Sequence, residues 1–197
     1  MPKTSPARRL ARRDAILCAA RRVLVKSSFS DVTLASIADE AGVAKGTLFL
    51  YFTGKEELFF AVFLGLLADL GGRLDALSAA GLPPKELLRA AAVTLISHLE
   101  RNRDFIERFR AGQFADSRSH KKFSAARAEN LGRITRIISL CSEGGLLDSR
   151  DASYEASALF GLCRSGMMNN LITGRALTVS DRADRVLHIL LNGIGKK

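Results

Sequence analysis

Residues 37–52 read Ile-Ala-Asp-Glu-Ala-Gly-Val-Ala-Lys-Gly-Thr-Leu-Phe-Leu-Tyr-Phe, a helix-forming run that is broken at Gly42 and resumes at once. This interruption constrains the fold more than any other feature of the chain. A helix stops cleanly where a residue takes positive φ, which glycine does without steric cost. A second helix restarting so soon must cross the first, and the crossing needs a small residue on the first helix. Ala38 supplies it, and Ile37, Val43 and Leu48 are spaced to lock the pair together. Two short helices joined this way form a helix-turn-helix, whose second helix enters the major groove of DNA. Gly46 and Thr47 then make a slim leading edge that lets backbone and short side chains approach base edges.

The remainder also reads as helix, with apolar residues recurring at three and four and little strand-type alternation. Ser5 with Pro6 opens a helix to about Ser27, and Thr33 caps a short one. Thr53 and Glu56 are spaced as a capping box for a long helix, which Gly71-Gly72 should weaken or kink. A loop at Gly81 to Pro84 precedes a fifth helix from about Lys85. Further helices are expected at about 104–111, about 118–142 (ending at Gly144-Gly145), about 152–173, and about 181–193 with Ser180 as its cap. The expectation is an all-α chain of about nine helices. Residues 1–54 would form a three-helix helix-turn-helix DNA-binding domain, and 55–197 a larger helical effector-binding and dimerisation domain.

Charge agrees with a polyanionic partner. The formal net charge is +10, and residues 1–55 hold ten Lys/Arg against four Asp/Glu, 10 − 4 = +6. Arg8, Arg9, Arg12 and Arg13 suit phosphate neutralisation by the arm and first helix, with Arg21 and Arg22 weaker candidates. No uncharged apolar run reaches the roughly 18 residues of a spanning helix, so the chain is expected to be cytoplasmic, without a membrane partner. The three cysteines, Cys18, Cys141 and Cys163, are far apart, which argues against a disulfide framework or a structural zinc site. No metalloprotease, nucleophile-elbow or phosphate-loop signature is present, so no enzyme, metal or cofactor is expected. A helical membrane-surface or partner-binding module would use the basic end but leave Gly42 and Thr47 without a purpose.

The stretch from Ile16 to Phe63 resembles the N-terminal domain of TetR-type (TetR/AcrR) transcriptional regulators, nearly without gaps. The resemblance implies a three-helix DNA-binding domain followed by a divergent helical domain for ligand binding and dimerisation. It implies that Lys45, Gly46 and Thr47 face bases, that Thr33, Tyr51 and Lys55 touch phosphates, and that Phe49 stands among the DNA-contacting positions. The sequence departs from the pattern at Ala44, where Ser is usual, at Phe49, where Tyr is usual, and at Leu50, where a polar residue is usual. Ser28 also stands where Gly is common.

The resemblance further implies a homodimeric regulator, most naturally a repressor released from a near-palindromic double-stranded operator by a small effector. Phe63, Leu67, Leu95, His98, Leu99, Phe105, Phe109, Phe123 and Met167 suit an apolar effector pocket, with His98 or Asn130 as polar handle, although the same set could fill a core. Leu159, Phe160, Cys163 and Met167, with Val186, Leu187, Leu190 and Leu191, give the last two helices an apolar face suited to a twofold mate. An alternative is a regulator that senses oxidants or electrophiles through cysteine, which would need a thiol of lowered pKa.

Overall fold

The computed structural model describes residues 5–27, 31–110, 117–173 and 177–193, with side chains described except at 25–26, 104, 108–110, 117–120 and 166–173. Its described residues form nine α-helices and no strand: α1 (Pro6–Lys26), α2 (Leu34–Glu40), α3 (Lys45–Phe49), α4 (Lys55–Ala79), α5 (Pro84–Arg101), α6 (Arg103–Arg110), α7 (Ser117–Glu143), α8 (Ala152–Thr173) and α9 (Val179–Asn192). The all-α expectation is met. The chain divides into two compact units, Met1–Gly65 with Gln113–Ser119, and Leu66–Gly112 with His120–Lys197.

In the first unit the caps explain the boundaries. Ser5 Oγ accepts from Arg8 N at 3.3 Å, with Pro6 in the first turn of α1. Thr33 Oγ1 accepts from Ser36 N at 3.0 Å while Ser36 Oγ accepts from Thr33 N at 3.2 Å, a reciprocal box at the start of α2. At the end of α2, Gly42 has φ +63°, Val43 N donates to Ala38 O at 3.0 Å, and Gly42 N donates to Asp39 O at 3.1 Å. These two bonds are the Schellman pattern, which satisfies the last carbonyls of α2 and turns the chain into α3. Ile16, Ala19, Ala20, Ile37, Ala38, Leu48 and Phe52 form the buried interior beneath.

The second unit is built round α5, which packs on α8 and α9. Leu88, Ala91, Ala92, Leu95 and Ile96 of α5 are buried with Ile137 and Ile138 of α7, Leu159 and Cys163 of α8, and Val186 and Leu187 of α9. Arg89 ties α5 to α9, donating to Asp184 at 2.7 Å and to Ser180 at 2.7 Å.

Two cap expectations are corrected, and the Gly71-Gly72 pair is located within one helix. The residue that reaches back to Thr53 is Glu57, whose carboxylate accepts from Thr53 N and Thr53 Oγ1, each at 2.7 Å. Because α4 begins at Lys55, its third residue is Glu57 rather than Glu56. Gly71 and Gly72 do not interrupt α4, which is continuous to Ala79. Gly71 is instead a packing site: a Cβ there would lie 2.9 Å from Asn130 Oδ1 and 3.0 Å from Arg133 Cζ of α7. The cap of α9 is Thr178, not Ser180, and Thr178 forms a capping box with Asp181.

Candidate nucleic-acid interface and effector cavity

The turn at Gly42 presents α3 with Lys45, Gly46 and Phe49 exposed, Thr47 half-buried and Leu48 fully buried beneath. At about 100° per residue, Gly46 and Leu50 lie nearly opposite Leu48, with Phe49 beside them and Lys45 at the edge of the same arc nearest Leu48. Ala44 occupies the N-cap and makes no side-chain cap bond. Thr33 lies exposed with its hydroxyl oxygen engaged in the α2 cap. Tyr51 is half-buried with the Arg9 guanidinium 6.0 Å from its ring centre, and Arg13 stands 5.2 Å from the ring of Phe52. The Lys55 ammonium sits 5.8 Å from the Phe59 ring. These contacts hold cations against aromatic faces while leaving them charged. Arg22 is differently employed: its Nε donates to Glu40 at 2.6 Å, an exposed ion pair within the unit.

The described members of the sequence-derived pocket set have different surroundings. Phe63 is buried, and Leu95 and Leu99 belong to the core of the second unit. His98 is 7% exposed, and Asn102 Nδ2 bonds its backbone oxygen at 2.8 Å and lies 3.3 Å from its Nδ1, an arrangement typical of an interior histidine with a partner. Phe105 is half-buried on α6, and Phe123 is half-buried with Arg127 over its ring at 5.4 Å. The side chains of Phe109 and Met167 lie outside the described residues.

A cavity of about 390 Å³ does open within the second unit. Leu67 and Leu70 of α4 form one wall, Ser157 and Phe160 of α8 another, and Ser124, Arg127, Ala128, Asn130, Leu131 and Ile134 of α7 the third. Among the described members of the sequence-derived set Leu67 lines it, and the polar handle Asn130 lines it too. Asn130 Nδ2 donates to Leu67 O at 2.9 Å, and its Oδ1 accepts from Arg133 at 3.3 Å. The amide is therefore fixed in place before any ligand arrives. Lining residues outside the sequence-derived set include Leu70, Ser157 and Phe160, and on α7 Ser124, Arg127, Leu131 and Ile134, which recur three or four apart.

Cysteine chemistry runs against sensing at the buried thiols. Burial pushes Cys141 up to about 11 and Cys163 up to about 12. Each is then a protonated thiol at neutral pH, and the thiolate is the reactive form. Cys18 is exposed on α1. No group of three or more metal-ligating side chains occurs among the described residues, and none of the described helices is long and apolar enough to cross a membrane.

Residues 16–62 match the model for bacterial regulatory proteins of the tetR family. The HTH-type transcriptional regulator BetI of Brucella anthropi is 36% identical over 104 residues, which are 53% of this chain and 47% of that protein. The chain thus spans about half the length of this curated relative. A transcriptional regulator of the TetR/AcrR family from Thermobifida fusca superposes with a TM-score of 0.74 at 22% identity, covering 94% of this chain and all of that one. The regulator FadR of Bacillus subtilis, solved with stearoyl-CoA, superposes with a TM-score of 0.73 at 20% identity, covering 92% and 99%. The likeness to these two structures establishes the fold.

Proposed function

We propose that this chain, a TetR-type regulator by its N-terminal domain and fold, is a ligand-responsive DNA-binding repressor released from a near-palindromic operator by a small hydrophobic effector. Residues 1–54 form the reading head and 55–197 the effector-binding and dimerisation domain, acting as a cytoplasmic homodimer through α8 and α9. The carrying observation is the α2–α3 turn. Its two bonds at Gly42 fix α3 so that Lys45 and Gly46 face solvent over buried Leu48, amid a net +6 of charge from ten cations and four anions in residues 1–55.

In this reading Lys45, Gly46 and Thr47 meet bases, while Thr33, Tyr51 and Lys55 meet phosphates. The effector occupies the α4–α7–α8 cavity, with Asn130 rather than His98 as its polar partner, since Asn130 lines the space. The apolar Leu67, Leu70, Leu131, Ile134 and Phe160 suit a hydrocarbon-rich ligand. The acyl thioester in the Bacillus subtilis neighbour has that character. Effector and operator need a coupling of only about 1–3 kcal/mol for a useful switch.

Mobility-shift titration tests the head. Lys45→Ala should weaken the cognate site by roughly 1–3 kcal/mol if it pairs with guanine. Lys55→Ala should weaken all sequences alike and reduce the salt dependence. Wild-type affinity in both variants would remove the assignment. Under the cysteine alternative, an oxidant should release the operator from wild type but not from Cys18→Ser.

A further inference from the structure

The solvent face of α3 is more apolar than phosphate neutralisation requires. Phe49 is 48% exposed and Leu50 is 72% exposed. Single exposed apolar residues are ordinary. These two are adjacent in sequence and fall, with Lys45 and Gly46, on an arc of about 140°, in which Gly46 and Leu50 lie nearly opposite buried Leu48 and Lys45 lies at the edge nearest it. Gly46 lies between them on that arc, and a Cβ added there would meet nothing within 4 Å. The fold itself therefore does not require a glycine at 46. What the missing side chain leaves is a shallow notch, with a phenylalanine three residues on and a leucine four residues on.

The occupant can be chosen from charge. The notch sits beside Lys45, in a segment where ten Lys/Arg outnumber four Asp/Glu. Arg9 and Arg13 stand against the rings of Tyr51 and Phe52, just beyond Leu50. A polyanion with a small apolar projection fits this surface. In the major groove of duplex DNA, thymine is the base that projects an apolar group, its 5-methyl.

Resting on the DNA-binding reading above, we propose that Phe49 and Leu50 read thymine 5-methyl groups, which enter over Gly46 while Lys45 takes the neighbouring base or phosphate. The pair gives α3 a preference for thymine that hydrogen bonds alone would not supply.

Duplexes enriched from a random pool by the full-length protein provide the probe. Each thymine is then replaced in turn by deoxyuridine, which removes the methyl and keeps every hydrogen-bonding group. At one or two positions per half-site, wild-type affinity should fall about fourfold for the lost methyl burial. Leu50→Ala and Phe49→Ala should bind the thymine duplex as weakly as wild type binds the uridine one, and lose nothing more on substitution. Their melting temperatures should match wild type; if either variant unfolds, the uridine scan of the wild type alone decides. Enriched DNA that binds equally well with thymine or uridine overturns methyl readout and leaves DNA recognition standing. A pool that never enriches, even with the protein folded, overturns both readings.

Discussion

Ala44 stands at the N-cap of α3 and offers that helix no side-chain acceptor. A serine hydroxyl there would satisfy one of the amides left unpaired at the start of the helix, so Ala44→Ser should stabilise the protein by about 0.5–1 kcal/mol. Urea unfolding checks this: the midpoint should rise with an unchanged slope. The buried thiols act at the same scale through pH. Both folded values, about 11 for Cys141 and about 12 for Cys163, lie above the ordinary 9.0, so above that pH the native state holds more protons than the unfolded one. Their contribution is fully present below pH 9 and is lost as pH rises through the folded values. Stability should accordingly fall between pH 9 and about 11, and fall less steeply in Cys163→Ala. A thiol reagent at neutral pH should label Cys18 in the native protein and all three cysteines after denaturation. Fast native labelling of Cys163 would contradict its burial.

Neighbouring glycines in α4 show how much an element depends on what crosses it. Gly72 has open space where a Cβ would go, so Gly72→Ala should gain about 0.5–1 kcal/mol from helix propensity. Gly71 faces Asn130 Oδ1 at 2.9 Å from the position of that Cβ. Gly71→Ala must displace an amide that also bonds Leu67 O, and its propensity gain should be cancelled or reversed. Thermal melts of the two variants should therefore move in opposite directions, or Gly71→Ala not at all. Sequence could not anticipate this difference, because Gly71-Gly72 read locally is only a weak point in a helix. Helix periods, the Ser5 and Thr33 caps and the Gly42 turn were legible because each rests on residues within a few positions of one another. The Thr53 box and the α9 cap slipped by one or two residues, since several polar residues there can cap and tertiary packing selects among them. The cavity was least legible. Large apolar residues such as Leu95 and Leu99 signal burial equally well in a filled core, and only the meeting of α4, α7 and α8 shows where space remains.

For the whole molecule the open question is which apolar surface a twofold mate would cover. The sequence offered eight residues of the last two helices. Of these, Leu159, Cys163, Val186 and Leu187 are already buried in the protein's own core, Phe160, Leu190 and Leu191 are half-buried against it, and the Met167 side chain lies outside the described residues. Apolar surface left to water on these helices includes Tyr154, 73% exposed, and Ile189, 37% exposed. On α8 the exposed Ser153, Ser157, Gly161 and Ser165 recur every four residues, small enough to let a second helix approach closely. The proposed interface is therefore better probed at Ile189 than at Leu190, where a charge would damage the fold as well as the assembly. Ile189→Glu adds a carboxylate to a side chain that is more than a third exposed in the single chain, so circular dichroism and melting of the isolated chain should change little. In a dimer the same carboxylate would be desolvated twice, once per copy, across a twofold interface. Sedimentation should then show wild type as a dimer and Ile189→Glu as a folded monomer at micromolar concentration. Because a single half-site forgoes the linked second contact, operator affinity should fall by at least about tenfold, with the salt dependence roughly halved as half the phosphate contacts are lost. A variant that stays dimeric with unchanged operator affinity would move the interface away from α9.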